Sequence, residues 1–221
     1  MFQRDYFMRM ISQMTEAIGQ IMNLRRERKQ EEGLLVIDEL LDKEFRLSSK
    51  LIRSLSDDDL IKVMSTNGLP DTDHLQAIAI LLKQEALLQA ELGKETESFA
   101  GYVRSLRLFI RLSLLEAEPT LVQPDDEVRD LLETLRPFEL PVPAKRLLME
   151  WHEAGGRFAD MENIMYELLE DMALSAADAA AVYERLLLLD DGKLVQGGLP
   201  REEIRQGLTD LSVNHMRSEQ G

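Results

Sequence analysis

The residues able to do chemistry in this chain are few and scattered. Three histidines are present, His74, His152 and His215, and there is no cysteine. The missing thiols remove disulfides, thiolate metal sites and cysteine nucleophiles from the reading. His152-Glu153 forms the first half of a zinc-protease helix motif, but the second histidine position is Gly156. Asp71-Thr72-Asp73 opens like a calcium loop. The sixth position is then Gln76 where a glycine is needed, and the twelfth is Leu82 where a glutamate is needed. Asp57-Asp58-Asp59 follows Ser56 and reads as a capped helix start, since acids are favourable at a helix N-terminus. Gly197-Gly198 has neither phosphate-loop nor dinucleotide spacing. From these residues we expect no catalytic residue, no cofactor and no metal.

The elements carrying those residues are helices. Forty-one acids against twenty-six bases give a net charge of −15, and eleven methionines with only 5% aromatic residues favour helix over sheet. Such a charge disfavours a phosphate backbone as partner. The densest apolar stretch, Leu75 to Leu82, is far shorter than the roughly 20 residues of a membrane span. We therefore expect no nucleic-acid partner and no membrane, and with no signal peptide visible at Met1-Phe2-Gln3-Arg4 we expect a cytoplasmic protein.

Phe7, Ile11, Met14, Ile18 and Ile21 recur at spacings of four and three, which predicts a first helix over about 4–28. A second helix carries Leu34, Ile37, Leu40, Leu41 and Phe45, so the first hairpin turns near Gln30 to Gly33. Thr66-Asn67-Gly68-Leu69-Pro70 is a turn cluster. Helices over His74 to Leu92 and Glu95 to Glu116 flank Gly93 as a second hairpin. Pro141 to Asp171 makes a third around Gly155-Gly156, with a glycine where a helix C-terminus needs positive φ. A helix follows Ser175 and runs through Leu189, Asp190-Asp191-Gly192 reads as a loop, and a last helix spans Arg201 to Leu211. The expected organisation is 1–68, 69–137 and 138–211, with a frayed tail 212–221, in one continuous folded unit. The fold class is all-α, an array of antiparallel helical hairpins: a tetratricopeptide-like α-solenoid or an irregular helical bundle.

The third hairpin, with Gly156-Arg157-Phe158 between its helices, resembles a tetratricopeptide-type repeat over about thirty residues, departing from it at Met161. The first hairpin fits in part, with Gly33 at the small position, and the second fits poorly. A wider resemblance rests on the opening Met1-Phe2-x-Arg4-Asp5-Tyr6-x-Met8-Arg9-x-Ile11, with Gly19, Ile37-Asp38-Glu39-Leu40-Leu41 and Leu55-Ser56. These residues look like an uncharacterised family of Gram-positive bacterial proteins, a domain of unknown function. That resemblance implies a helical cytoplasmic protein and carries no activity.

The leading functional expectation is a non-enzymatic helical-repeat protein that acts as a scaffold for an unidentified protein partner. Tyr102, Arg104, Arg107 and Arg111 are expected to share one face of the helix Glu95 to Glu116 and would be its contacts, as basic and aromatic groups in an acidic surround. One alternative is a structural homodimer through the methionine-rich first helix, with Phe7, Met10 and Met14 at the seam. Another is a small-ligand binder or enzyme whose site is assembled from distant residues.

Overall fold

The computed structural model describes the backbone of residues 2–45 and 47–218, and the side chains of residues 8–45 and 47–212. Among these the protein is all-α. Twelve helices run α1 Phe2–Arg26, α2 Gln30–Glu44, α3 Ser49–Ser54, α4 Asp57–Val63, α5 Thr72–Glu91, α6 Glu95–Leu114, α7 Pro124–Leu135, α8 Val142–Ala154, α9 Phe158–Glu170, α10 Ala176–Leu186, α11 Asp191–Gln196 and α12 Arg201–Ser218. They fall into two compact units, Met1–Glu139 and Leu140–Gly221.

The three hairpins share one turn. In each, the last residues of the first helix make the same two backbone bonds: Arg28 N–H to Arg25 O with Lys29 N–H to Leu24 O, Gly93 to Ala90 with Lys94 to Gln89, and Gly156 to Glu153 with Arg157 to His152. This is the Schellman pattern, which places one residue at positive φ. Arg28, Gly93 and Gly156 hold it at 60°, 74° and 66°. A basic residue follows each time, and Lys29, Lys94 and Arg157 then enter the next helix from φ between −91° and −107°. The first turn therefore lies at Glu27 to Lys29, earlier than the expected Gln30 to Gly33. Arg28 occupies a position where a glycine would have been visible in the sequence. Gly33 lies inside α2 instead, and a Cβ there would stand 2.9 Å from the Leu88 side chain of α5.

In the first unit α5 is the central helix. Residues Leu75 to Leu82 are all buried, which a helix covered on every side requires. The α6 helix lies against it at Gly101, where a Cβ would meet the Ala86 Cβ at 2.9 Å and its Cα at 3.4 Å. Such close approach lengthens the packed seam of the hairpin. The loop after α6 is tied back by Gln76, fully buried, whose amide donates to Glu118 O at 2.7 Å and whose carbonyl oxygen accepts from Thr120 N–H at 3.1 Å. The expected turn cluster forms a two-stranded hairpin, Ser65–Thr66 paired antiparallel with Leu69–Pro70, around Asn67 and Gly68 at φ 54° and 80°. Two successive positive φ values are what a tight hairpin turn demands, and Asn-Gly is its preferred sequence.

The second unit is built on Met161, Met165, Tyr183, Leu194, Leu199 and Ile204, all fully buried. Two differences from expectation occur here. Asp190-Asp191-Gly192 starts a short helix, because Asp190 caps it by accepting from Lys193 N–H at 3.0 Å and Leu194 anchors it in the core. The last helix continues to Ser218, so residues 212–218 of the expected tail are helical. Extending an established helix fixes one residue per bond and costs little.

Candidate interaction surface on α6

Arg104, Arg107 and Arg111 stand at i, i+3 and i+7 on α6, which places them along one stripe of the helix. That stripe faces the segment Ser48–Val63, which comprises α3 and α4. Arg104 donates from one terminal nitrogen to Ile52 O and to Leu55 O, each at 2.6 Å. These are the carbonyls left open where α3 ends. Arg107 pairs with Asp57 at 2.7 Å and Arg111 with Asp58 at 2.9 Å. Ser56 positions both aspartates by capping α4: its hydroxyl oxygen accepts from Asp59 N–H at 3.1 Å, and its O–H donates to the Asp59 carboxylate at 2.7 Å.

The arrangement is charged and incompletely satisfied. Asp57 is only 2% exposed, whereas Asp58 is 67% exposed. The Nε–H groups of Arg104, Arg107 and Arg111 are buried without a hydrogen-bond acceptor, and so is the Asp57 Oδ2 atom without a donor in line. The Asp57–Arg107 contact is thus an ion pair close in distance but poorly aligned for a hydrogen bond. Burial pushes the Asp57 carboxyl above the ordinary aspartate range; Arg107, Arg104 and Arg111 pull it back without cancelling that, and Asp58 adds to the rise. Burial likewise lowers the Arg104 guanidinium, with Arg107 adding to the effect and Asp57 opposing it. Tyr102 lies elsewhere on α6 and is 8% exposed, its hydroxyl raised by burial. The structure brings the three arginines together and leaves the tyrosine in the core.

For the seam proposed on α1, Met10 and Met14 are buried within the chain itself, at 5% and 1% exposure. Phe7 lies outside the described side chains. The outward methionines of α1 are Met8 and Met22, exposed at 59% and 43%.

His74 and His152 serve local structure. His74 accompanies the α5 cap: Asp71 accepts from its backbone N–H at 3.2 Å and contacts its Nδ1 at 2.6 Å. Burial raises the Asp71 carboxyl, but the hydrogen bonds from His74 outweigh it and hold the group below its usual value. The pair borders a cavity of about 430 Å³ with Glu44, Phe45, Val63 and Met64. His152 sits under Arg157, which donates to its Nδ1 at 3.1 Å, donates to Trp151 O at 2.8 Å and stacks on the indole at 3.8 Å. Burial and the Arg157 charge lower His152 to about 4, with Asp160 opposing. His215 lies outside the described side chains. Among the described residues no group of three or more histidine, aspartate or glutamate side chains is placed to hold a metal ion.

The chain belongs to DUF6483, a family of unknown function, whose model matches residues 1–215. No curated protein and no solved structure matches it. Neither the family nor the all-helical fold supplies a catalytic assignment. Among the described residues no helix is long and apolar enough to cross a membrane.

Proposed function

We propose that this member of the family is a non-enzymatic scaffold of helical hairpins, acting in the cytoplasm and binding another protein through the arginine-bearing stripe of α6. The observation that supports the reading is the stripe itself. Three guanidinium groups are aligned on one helix of a chain with net charge −15, with hydrogen-bonding capacity left over. Arginine is suited to this role because its planar fork recognises carboxylates in two-point fashion. In a tetratricopeptide-like scaffold of hairpins, function lies on side chains displayed by a common frame. The test is affinity capture from cell extract with the native chain and with Arg104→Gln/Arg107→Gln/Arg111→Gln, after circular dichroism has shown equal helicity. The reading expects a stoichiometric protein partner on the native chain and its loss from the variant. A partner retained by the variant, or recovery of the chain alone, contradicts it.

A second reading is a homodimer, favoured by the exposure of Met8 and Met22 on α1. Light scattering over a concentration series expects twice the chain mass; a monomer mass throughout removes it.

A further inference from the structure

The segment Ser48–Val63 is fastened differently from everything around it. The α3 helix has six residues and α4 has seven, lengths at which a helix does not hold alone in water. Among the described side chains of the segment, only Ile52 and Leu60 are fully buried apolar groups. Leu51 and Val63 are 40% and 52% exposed. Leu55 and Ile61 are half-buried, and the other attachments are polar. Arg104 holds the end of α3, Arg107 and Arg111 hold Asp57 and Asp58, and Arg53 reaches back to Asp38 at 2.6 Å and Glu85 at 3.0 Å. A segment with few buried apolar contacts and many partly exposed polar ones belongs to the low-stability end of a fold.

What it covers is also unusual. Two of the three arginines pair with aspartates of α4, Arg104 meets only the Ile52 and Leu55 carbonyls, and each arginine keeps an unused Nε–H. Asp57 carries a buried charge that its neighbours repay only in part.

We infer that α3 and α4 form an autoinhibitory strap: Asp57 and Asp58 occupy the arginine stripe of α6, and an acidic segment of the protein partner takes their place when the strap lifts. This rests on the protein-binding reading above and supplies the partner's chemistry. Ser56-Asp57-Asp58-Asp59 is the pattern of the resident ligand, so the partner segment is a short run of carboxylates next to an apolar anchor that replaces Leu60. A covalently attached strap competes at high effective concentration, which confines binding to partners that present several carboxylates together.

The test uses the full chain with a fluorescein-labelled peptide copying residues 48–64 as probe. Leu60→Ala loosens the apolar anchor and leaves every arginine in place. The strap account expects amide exchange over residues 51–64 to rise at least tenfold in this variant while α5 and α6 are unchanged. It expects the peptide to bind the variant at least tenfold more tightly than the native chain. Adding Arg107→Gln, or replacing the three aspartates of the peptide with asparagine, is expected to weaken that binding at least tenfold. Equal binding of the asparagine peptide overturns the proposal. Should Leu60→Ala fail to fold, exchange in the native chain decides. Strap amides that exchange faster than those of α6 support it, and strap amides that exchange together with α6 overturn it. The peptide readout needs no cellular partner, so a failed capture experiment removes the scaffold reading and with it the partner segment, whereas the attachment of the strap to the arginines is judged by the peptide alone.

Discussion

Two sides of α6 are closed in opposite ways. Against α5 the contact is dry, with Gly101 admitting the Ala86 methyl and the fully buried Ser105 hydroxyl donating to Ala79 O at 2.8 Å. Against α3 and α4 the contact is ionic, with three arginines reaching two carbonyls, the buried Asp57 and the exposed Asp58. The dry side is shape-specific and has no competitor in solution. The ionic side is chemically generic, because any carboxylate offers what Asp57 and Asp58 offer, and the Arg111–Asp58 pair, with Asp58 67% exposed, is weakened by solvent and salt. One helix thus carries a permanent seam and an exchangeable one.

The largest expected effect breaks the dry side. In Gly101→Val the Cβ would stand 2.9 Å from the Ala86 Cβ and 3.4 Å from its Cα, contacts that cannot relax without moving the backbone. We expect a loss of about 3 kcal/mol in denaturant unfolding of the first unit. An unchanged midpoint would mean that the α5–α6 seam is not rigid.

Close behind comes a case that sharpens the comparison: charged fastening that is sealed. At the third turn, Arg157 covers His152, whose side chain is 12% exposed and whose pKa is lowered to about 4 from 6.5. Between those values the unfolded chain binds a proton that the folded one does not. Stability therefore rises with pH across that window and is lost on acidification, by up to about 3 kcal/mol. His152→Gln is expected to flatten the pH dependence between 4 and 6.5. A slope identical to that of the native chain would contradict this account of the turn.

How much of this was readable beforehand differs between the two sides of α6. The helix and its arginine stripe follow from a period of 3.6 residues, so Arg104, Arg107 and Arg111 were visible as one set. Their partners were not. Ile52, Leu55, Asp57 and Asp58 lie about fifty positions away, and Ser56-Asp57-Asp58-Asp59 is fully explained locally as a cap. A residue with a sufficient local role gives no sign of a second, long-range one. The same masking hid the first hairpin turn, because Arg28 adopts the backbone that Gly93 and Gly156 advertise. It also hid α11, where Asp190-Asp191-Gly192 has the composition of a loop and the cap of a helix.

The smallest expected effect lies outside both fastenings. Met172 stands at φ 54° after α9 and is 92% exposed, so its side chain is held by little. Met172→Gly relieves the left-handed strain and pays part of the gain back in unfolded-chain entropy. We expect a net stabilisation of about 0.5 kcal/mol, read as a small rise in Tm. A fall in Tm would show that the exposed methionine packs on something.

The most direct measurement is native-state hydrogen exchange of the unaltered chain at low and at 0.5 M salt, comparing amides of α3 and α4 with those of α5 and α6. An exchangeable strap predicts that residues 51–64 open well below the free energy of the hairpin amides, and that added salt widens the gap by weakening the arginine pairs. Strap amides that open only with α5 and α6, at either salt concentration, would show that the two sides of α6 are one cooperative structure and would contradict the account.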